Sequence, residues 1–507
     1  MRKYAVCLFA LVMVFYSCTD NPVIEEKSAP PSFADFFFES KCNPSLDGDV
    51  RGFYFGTDTI KLFIPGVDVS SLVPSFITNE DVVVTVESEE QVSGLTAVNF
   101  NNTIEYQLQN TEGETKRYIV VIKGYNQIPR IDIHTQDSMA IESKINYVPC
   151  VVNISNYPEF GQLTINAEIR GRGNATWTGY PKKPYKLKLS ESVKLLGNSK
   201  DKDWILLADY CDKTLLRTSF LFETSRELGM DWTPDYKHVE LYLNDDYRGT
   251  YILTDQVEKE KKRVNIDADG FLIEDDSYYK DEPLFFSTDS LGFNFTFKYP
   301  KANTGVNEGD DNFTYIKQYI NSFEYALLNE EWKTVSLLID ERTFAKWFII
   351  HEVLGNYDTN LYYVMPRRGE PLKLYPVWDN EWSLGLAFRG PQGGAWASPP
   401  QESPVDYLIW GQKKYFPQLL NSPSFVSKLK EEWYHVQPNL HQITARVNKV
   451  RKDIEYSQKS NFERWPILGK FIRVELVTFD TWNEECNYAY DFFDKRIQWF
   501  NGWIANL

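Results

Sequence analysis

The pattern of strand-like and helix-like segments in the sequence changes near Gly124, and this change constrains what each part of the chain can fold into. Before it, short strand-like runs alternate with turns rich in Gly, Asn, Asp and Pro; the runs are residues 59–63, 82–87, 103–108 and 117–123. Short strands at near-regular spacing are typical of a small β-sandwich. We therefore predict a separate β-sandwich module over residues 33–124. It carries no titratable cluster, so we interpret it as a spacer or an adhesion platform.

After Gly124, helical stretches appear among strands and the tryptophans concentrate. The hydrophobic periodicity predicts strand pairs and helices in the same region. The strand pairs are 165–170 with 185–189 and 238–243 with 248–254, and the helices lie near 215–228, 313–328 and 344–354. This mixture predicts an α+β domain of enzyme size over residues 129–507.

The first 18 residues have the layout of a bacterial secretory signal. Two basic residues precede an apolar run that ends at residue 16 and is too short to span a bilayer. A small residue then precedes Cys18, which resembles a bacterial lipobox. We therefore predict that Cys18 is lipidated, that residues 19–32 are a tether, and that the protein is anchored by lipid to a membrane of the cell envelope, facing outside the cytoplasm. The alternative is an ordinary signal peptide with an incidental cysteine.

The charge and the cysteines limit the remaining possibilities. The formal net charge is −17 and the isoelectric point is about 5.0, so the protein repels nucleic-acid backbones and we predict no nucleic-acid partner. The spacing of the cysteines beyond Cys18 matches no metal-binding pattern; they are Cys42, Cys150, Cys211 and Cys486. Disulfides and buried free thiols both remain open for them.

The first pattern with chemical content is a basic, Gly-rich hairpin. Arg170 and Arg172 lie in the turn sequence Arg-Gly-Arg-Gly-Asn, and Lys182 and Lys183 begin the return strand. Backbone N–H groups in such a turn, together with fixed positive charge, bind anions such as phosphate. The pattern is neither a Walker loop nor a dinucleotide fingerprint, and a solvated basic hairpin is the alternative.

A second pattern pairs two aspartates across a hairpin. Asp358 follows the helix that Gly355 ends, and the strand-like runs 361–365 and 372–378 flank a turn at 366–371. If the hairpin is symmetric about this turn, Asp358 lies opposite Asp379, with the Cα atoms about 4.5–5.5 Å apart. Two carboxylates this close repel each other unless a cation or a proton lies between them.

Magnesium carried by nucleotide phosphates is the simplest occupant, since it needs few protein carboxylates. Asp358 would then orient or deprotonate an acceptor hydroxyl, Asp379 would hold the metal, and Glu381 would add an oxygen ligand. The alternative is that these acids cap turns and pair with cations such as Arg367 or Arg389.

Seven short motifs in the same order resemble the CotH family, the spore-coat protein H-like atypical protein kinases, over roughly residues 129–500. The motifs are Ile169-Arg170-Gly171-Arg172-Gly173-Asn174; Lys182-Lys183-Pro184-Tyr185; Asp203-Trp204-Ile205-Leu206; Asp212-Lys213-Thr214-Leu215-Leu216-Arg217; Leu243-Asn244-Asp245-Asp246-Tyr247-Arg248-Gly249; Gly355-Asn356-Tyr357-Asp358; and Trp378-Asp379. The resemblance implies a kinase-like fold, distant from ordinary protein kinases. It also implies ATP- and metal-dependent phosphorylation of a protein substrate at the cell surface or envelope.

Position by position, the resemblance implies that Asp358 is the catalytic aspartate and Asp379 the metal ligand. It makes Arg170, Arg172, Lys182, Lys183 and Arg217 candidates for phosphate contacts, and leaves open which lysine reaches the nucleotide.

The chain also departs from the family pattern. Asp255 stands where many members have Glu, with Glu258 as a compensating acid, and Glu381 stands where Asp is common. A catalytically idle scaffold or adhesin built on the same fold is the second functional hypothesis.

Overall fold

The computed structural model describes residues 29–46, 48–55, 57–64, 67, 69–79, 81–123, 128–157, 161–196, 199–386, 405–472, 475 and 477–507. Cys18 and nearly all of the predicted tether lie outside these residues, as does Arg389. The chain divides into two compact units, Met1–Gly124 and Tyr125–Leu507. Helix and strand each account for about 30% of the structure, which agrees with the α+β class.

In the described residues of the first unit, the secondary structure consists of nine strands. They are β1 (Phe33–Phe38), β2 (Val50–Arg51), β3 (Phe53–Phe55), β4 (Thr59–Phe63), β5 (Ser75–Thr78), β6 (Val83–Val86), β7 (Glu89–Glu90), β8 (Ile104–Gln109) and β9 (Thr115–Lys123). One sheet has the order β2-β1-β5 and the other β3-β4-β9-β8-β6-β7. Alternate residues of β1 and β8, among them Phe36 and Tyr106, are fully buried in one shared core.

The second unit begins with a closed barrel in the order β10-β11-β12-β13-β14-β16-β15. Its strands are β10 (Arg130–Thr135), β11 (Val148–Tyr157), β12 (Gly161–Gly171), β13 (Tyr185–Leu196), β14 (Ser199–Leu207), β15 (Tyr236–Leu243) and β16 (Asp246–Asp255). The parallel pair of β10 and β15 closes the barrel, and the other pairs are antiparallel. Alternating apolar residues such as Ile169, Leu187 and Trp204 fill the interior. Both predicted strand pairs are part of this barrel.

A second sheet of the same unit has the order β18-β19-β17-β20-β21. Its strands are β17 (Phe271–Asp275), β18 (Phe285–Ser287), β19 (Asn294–Tyr299), β20 (Leu361–Met365) and β21 (Lys373–Leu374). The predicted strand at 372–378 is wrong in length, because β21 ends after two residues. Pro376 has no N–H to continue a ladder. Beyond it, the Thr359 hydroxyl donates to the carbonyl of Trp378, and the N–H of Tyr357 donates to the carbonyl of Trp382 at 3.2 Å.

Most helices of the second unit share the core of this sheet. The described helices of this unit are α1 (Ala175–Gly179), α2 (Arg217–Glu227), α3 (Asp311–Leu328), α4 (Trp332–Leu338), α5 (Glu341–Leu354), α6 (Phe416–Leu419), α7 (Pro423–Val436), α8 (Leu440–Asp453), α9 (Ser457–Arg464) and α10 (Trp482–Asn506). The helix α5 positions the candidate site. It begins where the Asp340 carboxylate accepts the N–H groups of Arg342 and Thr343, and it ends at Gly355, whose φ of 59° is left-handed.

The cysteines Cys42, Cys150, Cys211 and Cys486 are free thiols. Among the described helices, none combines the length and the apolar character that crossing a bilayer requires.

Candidate functional site

The hairpin that carries the two aspartates is symmetric about its turn. In its ladder Tyr363 faces Leu374, and the N–H of Tyr375 donates to the carbonyl of Tyr362 at 3.0 Å. In this register, the residue numbers of each facing pair sum to 737. The residue numbers of Asp358 and Asp379 have the same sum. Further along, the Thr359 hydroxyl donates to the carbonyl of Trp378, which keeps the same register. The structure thus brings both aspartates to the open end of the hairpin.

The side chain of Asn356 joins the two aspartate loops directly. Its Nδ2 donates to the carbonyl of Asp379 at 2.9 Å, and its Oδ1 accepts the N–H of Asp358 at 3.2 Å. Asn356 is fully buried, and its own carbonyl accepts the indole N–H of Trp410 at 2.8 Å. A buried amide with both ends bonded has little freedom to move, so the spacing of the two loops is fixed.

The backbone of Asp379 adopts an uncommon conformation. Its φ is 63°, a left-handed value that aspartate tolerates better than most side chains. Its side chain is exposed. Desolvation by the surrounding protein, and then the charge of Asp358, raise the pKa of Asp379 to about 7, while Arg172 opposes the shift. Desolvation also raises the pKa of the half-buried Asp358, and Lys413 opposes it.

Glu381 and Asp209 extend this group. The Glu381 carboxylate accepts the N–H of Cys211 at 2.8 Å, and burial followed by the charge of Asp209 raises its pKa to about 8. Burial and then Asp212 raise the pKa of Asp209 to about 6. We call Asp209, Asp358, Asp379 and Glu381 the carboxylate cluster. It contains one more carboxyl group than the sequence predicted, since Asp209 was not among the predicted acids.

Of the two lysines in the basic hairpin, Lys182 faces the carboxylate cluster. It is 1% exposed, and its Nζ donates to the carbonyl of Thr250 and to Oδ1 of Asn461, the latter at 3.0 Å. Burial lowers the pKa of Lys182 to about 7, and Asp209, then Glu381, oppose this shift. The ammonium of Lys183 donates instead to the carbonyl of Trp177, within the β12–β13 connection.

The two arginines of the hairpin also differ. The guanidinium of Arg172 lies over the ring of Trp378 at 5.5 Å; desolvation lowers its pKa, while Tyr362, then Asp379, oppose the shift. None of the described residues accepts a hydrogen bond from its guanidinium. Arg170 instead donates to the carbonyls of Lys144 and Gly171. Arg172 is therefore the arginine of the hairpin that has free donors near the carboxylate cluster.

Arg217 does not join this group, contrary to the expectation from the resemblance. Its side chain is fully buried and forms an ion pair with Asp212. Its Nε donates to the carbonyl of Ser383 at 2.8 Å, and Nη2 donates to that of Leu384 at 3.2 Å. Since these contacts occupy most of the N–H groups of a guanidinium that is fully buried, Arg217 braces the loop after Glu381 and is not available to a phosphate.

Arg367, the alternative partner for the acids that the structure describes, forms its ion pair elsewhere. Arg367 pairs with Asp267 at 2.7 Å. Asp255 and Glu258, the residues at the departure from the family pattern, both bind the buried Arg263. Neither acid therefore supplements the carboxylate cluster.

Two further features lie outside the carboxylate cluster. Asp201, Asp203 and Glu258 come close enough to share a metal ion, but Arg263 and Lys186 already neutralise them. A pocket of about 460 Å³ lies between the α2 and α8 regions, and none of the cluster residues lines it.

The chain matches the CotH kinase protein family over residues 169–500 and belongs to that family. No curated protein sequence matches it. Among solved structures, a Bacteroides thetaiotaomicron protein provisionally assigned as a glycoside hydrolase matches with a TM-score of 0.16 and 15% identity, over 43% of this chain. The match spans about half of that protein, 54% of its chain. At this TM-score the likeness says nothing about fold or function.

Proposed function

We propose that this protein is a CotH-like kinase that uses ATP and a divalent metal, such as magnesium, to phosphorylate proteins at the cell surface or envelope. The observation that carries the proposal is the pair Asp358 and Asp379, held at one end of a hairpin by the buried amide of Asn356. Membership of the CotH kinase protein family supports the same chemistry. The kinase-like fold and the β-sandwich module belong to this proposal, as does the lipid anchor at Cys18.

The carboxylate cluster offers oxygen ligands to a hard cation, although no three of its acids lie as close together as Asp201, Asp203 and Glu258 do. Magnesium prefers oxygen ligands, and Asp379 and Glu381 supply them, with Asp209 near both. Neighbouring carboxylates repel each other when no cation lies between them, and burial and this repulsion both raise their pKa values. The raised pKa values of Asp379, Glu381 and Asp209 are therefore consistent with a cation site.

Arg172 and Lys182 are the groups that would hold nucleotide phosphates. Both lie near the carboxylate cluster, and Arg172 has donors that no described residue accepts. A planar guanidinium with free donors binds phosphate oxygens in pairs. Lys182 contributes a buried positive charge whose pKa the arriving phosphates would raise.

Bound ATP would supply the phosphoryl group, and a magnesium ion held by Asp379 and Glu381 would neutralise part of the phosphate charge. Asp358 then has the task of orienting the acceptor hydroxyl and accepting its proton. Its half-buried position and its fixed backbone suit this role, because a general base must lie within hydrogen-bond reach of the proton that it removes.

Calorimetric binding of ATP to the purified chain from residue 19 onward tests the proposal, with magnesium and with excess chelator. We expect binding that depends on the metal, and incorporation of labelled phosphate into the protein itself or a generic acceptor. Absence of nucleotide binding with any divalent metal would instead support the idle scaffold or adhesin.

A further inference from the structure

Lys413 lies beside the catalytic aspartate and has no role in the account above. Its Nζ donates to the carbonyl of Tyr357 at 3.0 Å, and Tyr357 directly precedes Asp358 in the chain. The ring of Trp410 lies 5.1 Å from the ammonium. These contacts place a positive charge next to the Asp358 loop.

The segment that carries Lys413 is held firmly in place. The indole N–H of Trp410 donates to the carbonyl of Asn356, and the carboxylate of Glu352 accepts three backbone N–H groups of the turn that precedes Lys413. Glu352 is itself fully buried and paired with Arg496 at 2.9 Å. The ammonium therefore has a defined position relative to the Asn356 bridge between the aspartates.

The charge of Lys413 is not neutralised by a direct ion pair. Among the described residues, no carboxylate lies within 4 Å of its Nζ, whereas the next residue, Lys414, pairs with Asp275 at 2.6 Å. Burial lowers the pKa of Lys413, and the carboxylate that most opposes this shift is Asp358. A half-buried cation with one carbonyl partner has hydrogens left for an anion.

We propose that Lys413 is a catalytic residue that binds the phosphoryl group during its transfer to the acceptor. The inference rests on the proposed kinase function. In this step the acceptor oxygen forms a bond to the γ-phosphorus, and the bond from that phosphorus to the bridging oxygen breaks. The bonding electrons leave with ADP, and the acceptor's proton goes to Asp358. The ammonium of Lys413 hydrogen-bonds to the oxygens of the phosphoryl group and stabilises their charge in the transition state.

The alternative is that Lys413 only secures the Tyr357 loop. The two roles differ in which complex the ammonium stabilises. A structural lysine stabilises the ground-state and transition-state complexes equally, whereas a catalytic lysine stabilises the transition state more. A planar phosphoryl mimic, aluminium fluoride bound with MgADP, isolates this difference without a known acceptor protein.

The experiment compares Lys413→Met with wild type and with Lys414→Met, a control that removes the neighbouring, already paired ammonium. Affinity is measured for MgADP alone and for MgADP with aluminium fluoride. We expect Lys413→Met to weaken the complex with aluminium fluoride about 100-fold and MgADP alone by no more than about threefold, since one donor in such a site contributes roughly 10² to 10³ in rate. Lys413→Arg should restore part of the loss.

Equal affinities for Lys413→Met and wild type in both complexes would overturn the inference while leaving the kinase proposal intact. Equal weakening of both complexes would also overturn it, because that is the result of a structural role. If Lys413→Met does not fold, the comparison of Lys413→Arg and Lys413→Gln with wild type replaces it. A wild-type protein that binds no MgADP would remove the kinase proposal and this inference together.

Discussion

The side-chain amide of Asn356 donates to the backbone carbonyl of Asp379 at 2.9 Å, so the loop that enters the hairpin is bonded to the loop that leaves it. This bond holds Asp379, the proposed metal ligand, to the loop of Asp358, the proposed catalytic residue. The two aspartates should nevertheless be separable by mutation, since their proposed tasks differ.

We expect Asp379→Asn to weaken binding of MgATP at least tenfold, because it removes a charged ligand from the metal. Asparagine tolerates the left-handed backbone at this position, so the fold should persist. Asp245→Asn is the matched control: Asp245 has a similar φ of 64° and lies exposed in the β15–β16 turn. Calorimetry should show weakened binding in the first variant alone, and comparable binding in both would contradict the assignment.

Asp358→Asn should leave MgATP binding within about threefold of wild type and lower phosphate incorporation by roughly 10²- to 10⁴-fold, since it removes the general base. Incorporation of labelled phosphate, measured at saturating MgATP, tests this. A variant that transfers phosphate at the wild-type rate would exclude Asp358 from the chemistry.

Arg172→Met should weaken nucleotide binding between about tenfold and 100-fold, the loss expected for a charge-assisted hydrogen bond of about 1.5–3 kcal/mol. Arg170→Met is the control from the same hairpin, because the carbonyls of Lys144 and Gly171 already accept hydrogen bonds from Nη1 of Arg170. If the two variants bind ATP equally well, the hairpin does not contact the phosphates through Arg172.

Arg217→Met should instead destabilise the fold by about 3–5 kcal/mol, because it leaves the buried Asp212 without its partner. All 14 tryptophans follow residue 124, so the fluorescence of urea unfolding reports on the second unit alone. Arg367→Met is the control, because Arg367 forms an exposed ion pair with Asp267. It should change the free energy of unfolding by no more than about 1 kcal/mol. Similar losses in the two variants would show that the buried ion pair is not important for stability.

The free energy of unfolding should decrease as the pH is lowered, because of a buried histidine. Burial lowers the pKa of His238 from 6.5 to about 4, so the unfolded chain takes up a proton more readily than the folded one. This contribution of about 3 kcal/mol is complete above pH 6.5 and is lost as the pH falls toward 4. His238→Gln retains a donor for the carbonyl of Leu215 and should flatten the decline measured by urea unfolding at several pH values. The exposed His435→Gln serves as control, and an unchanged slope in His238→Gln would refute the assignment.

The sequence was sufficient to locate the two aspartates, because hairpin register follows from simple symmetry about a turn. The same reasoning did not find Asp209 or Lys413. Asp209 precedes the Asp212 motif by three residues, but it reaches the cluster only through the packing of the barrel against the second sheet. Lys413 is 55 residues from Asp358 in the chain, and no local pattern connects them.

The resemblance placed Arg217 among the phosphate contacts, and the structure shows why local sequence misleads there. An arginine next to a polar turn looks the same in sequence whether its donors face solvent or other backbone carbonyls. The barrel also could be predicted only in part. Its strand pairs followed from the alternation of apolar residues, whereas its closure by β10 and β15 depends on contacts between distant residues.

That closure has a consequence for how the protein is made. Arg130 pairs with Glu240, which lies 110 residues later in the chain. A chain that emerges amino terminus first, whether from a ribosome or through a membrane channel, therefore exposes the open edge of β10 until residue 243 has also emerged. Because distant pairings form slowly and unpaired edges attract other chains, nascent copies are most vulnerable to aggregation during this interval.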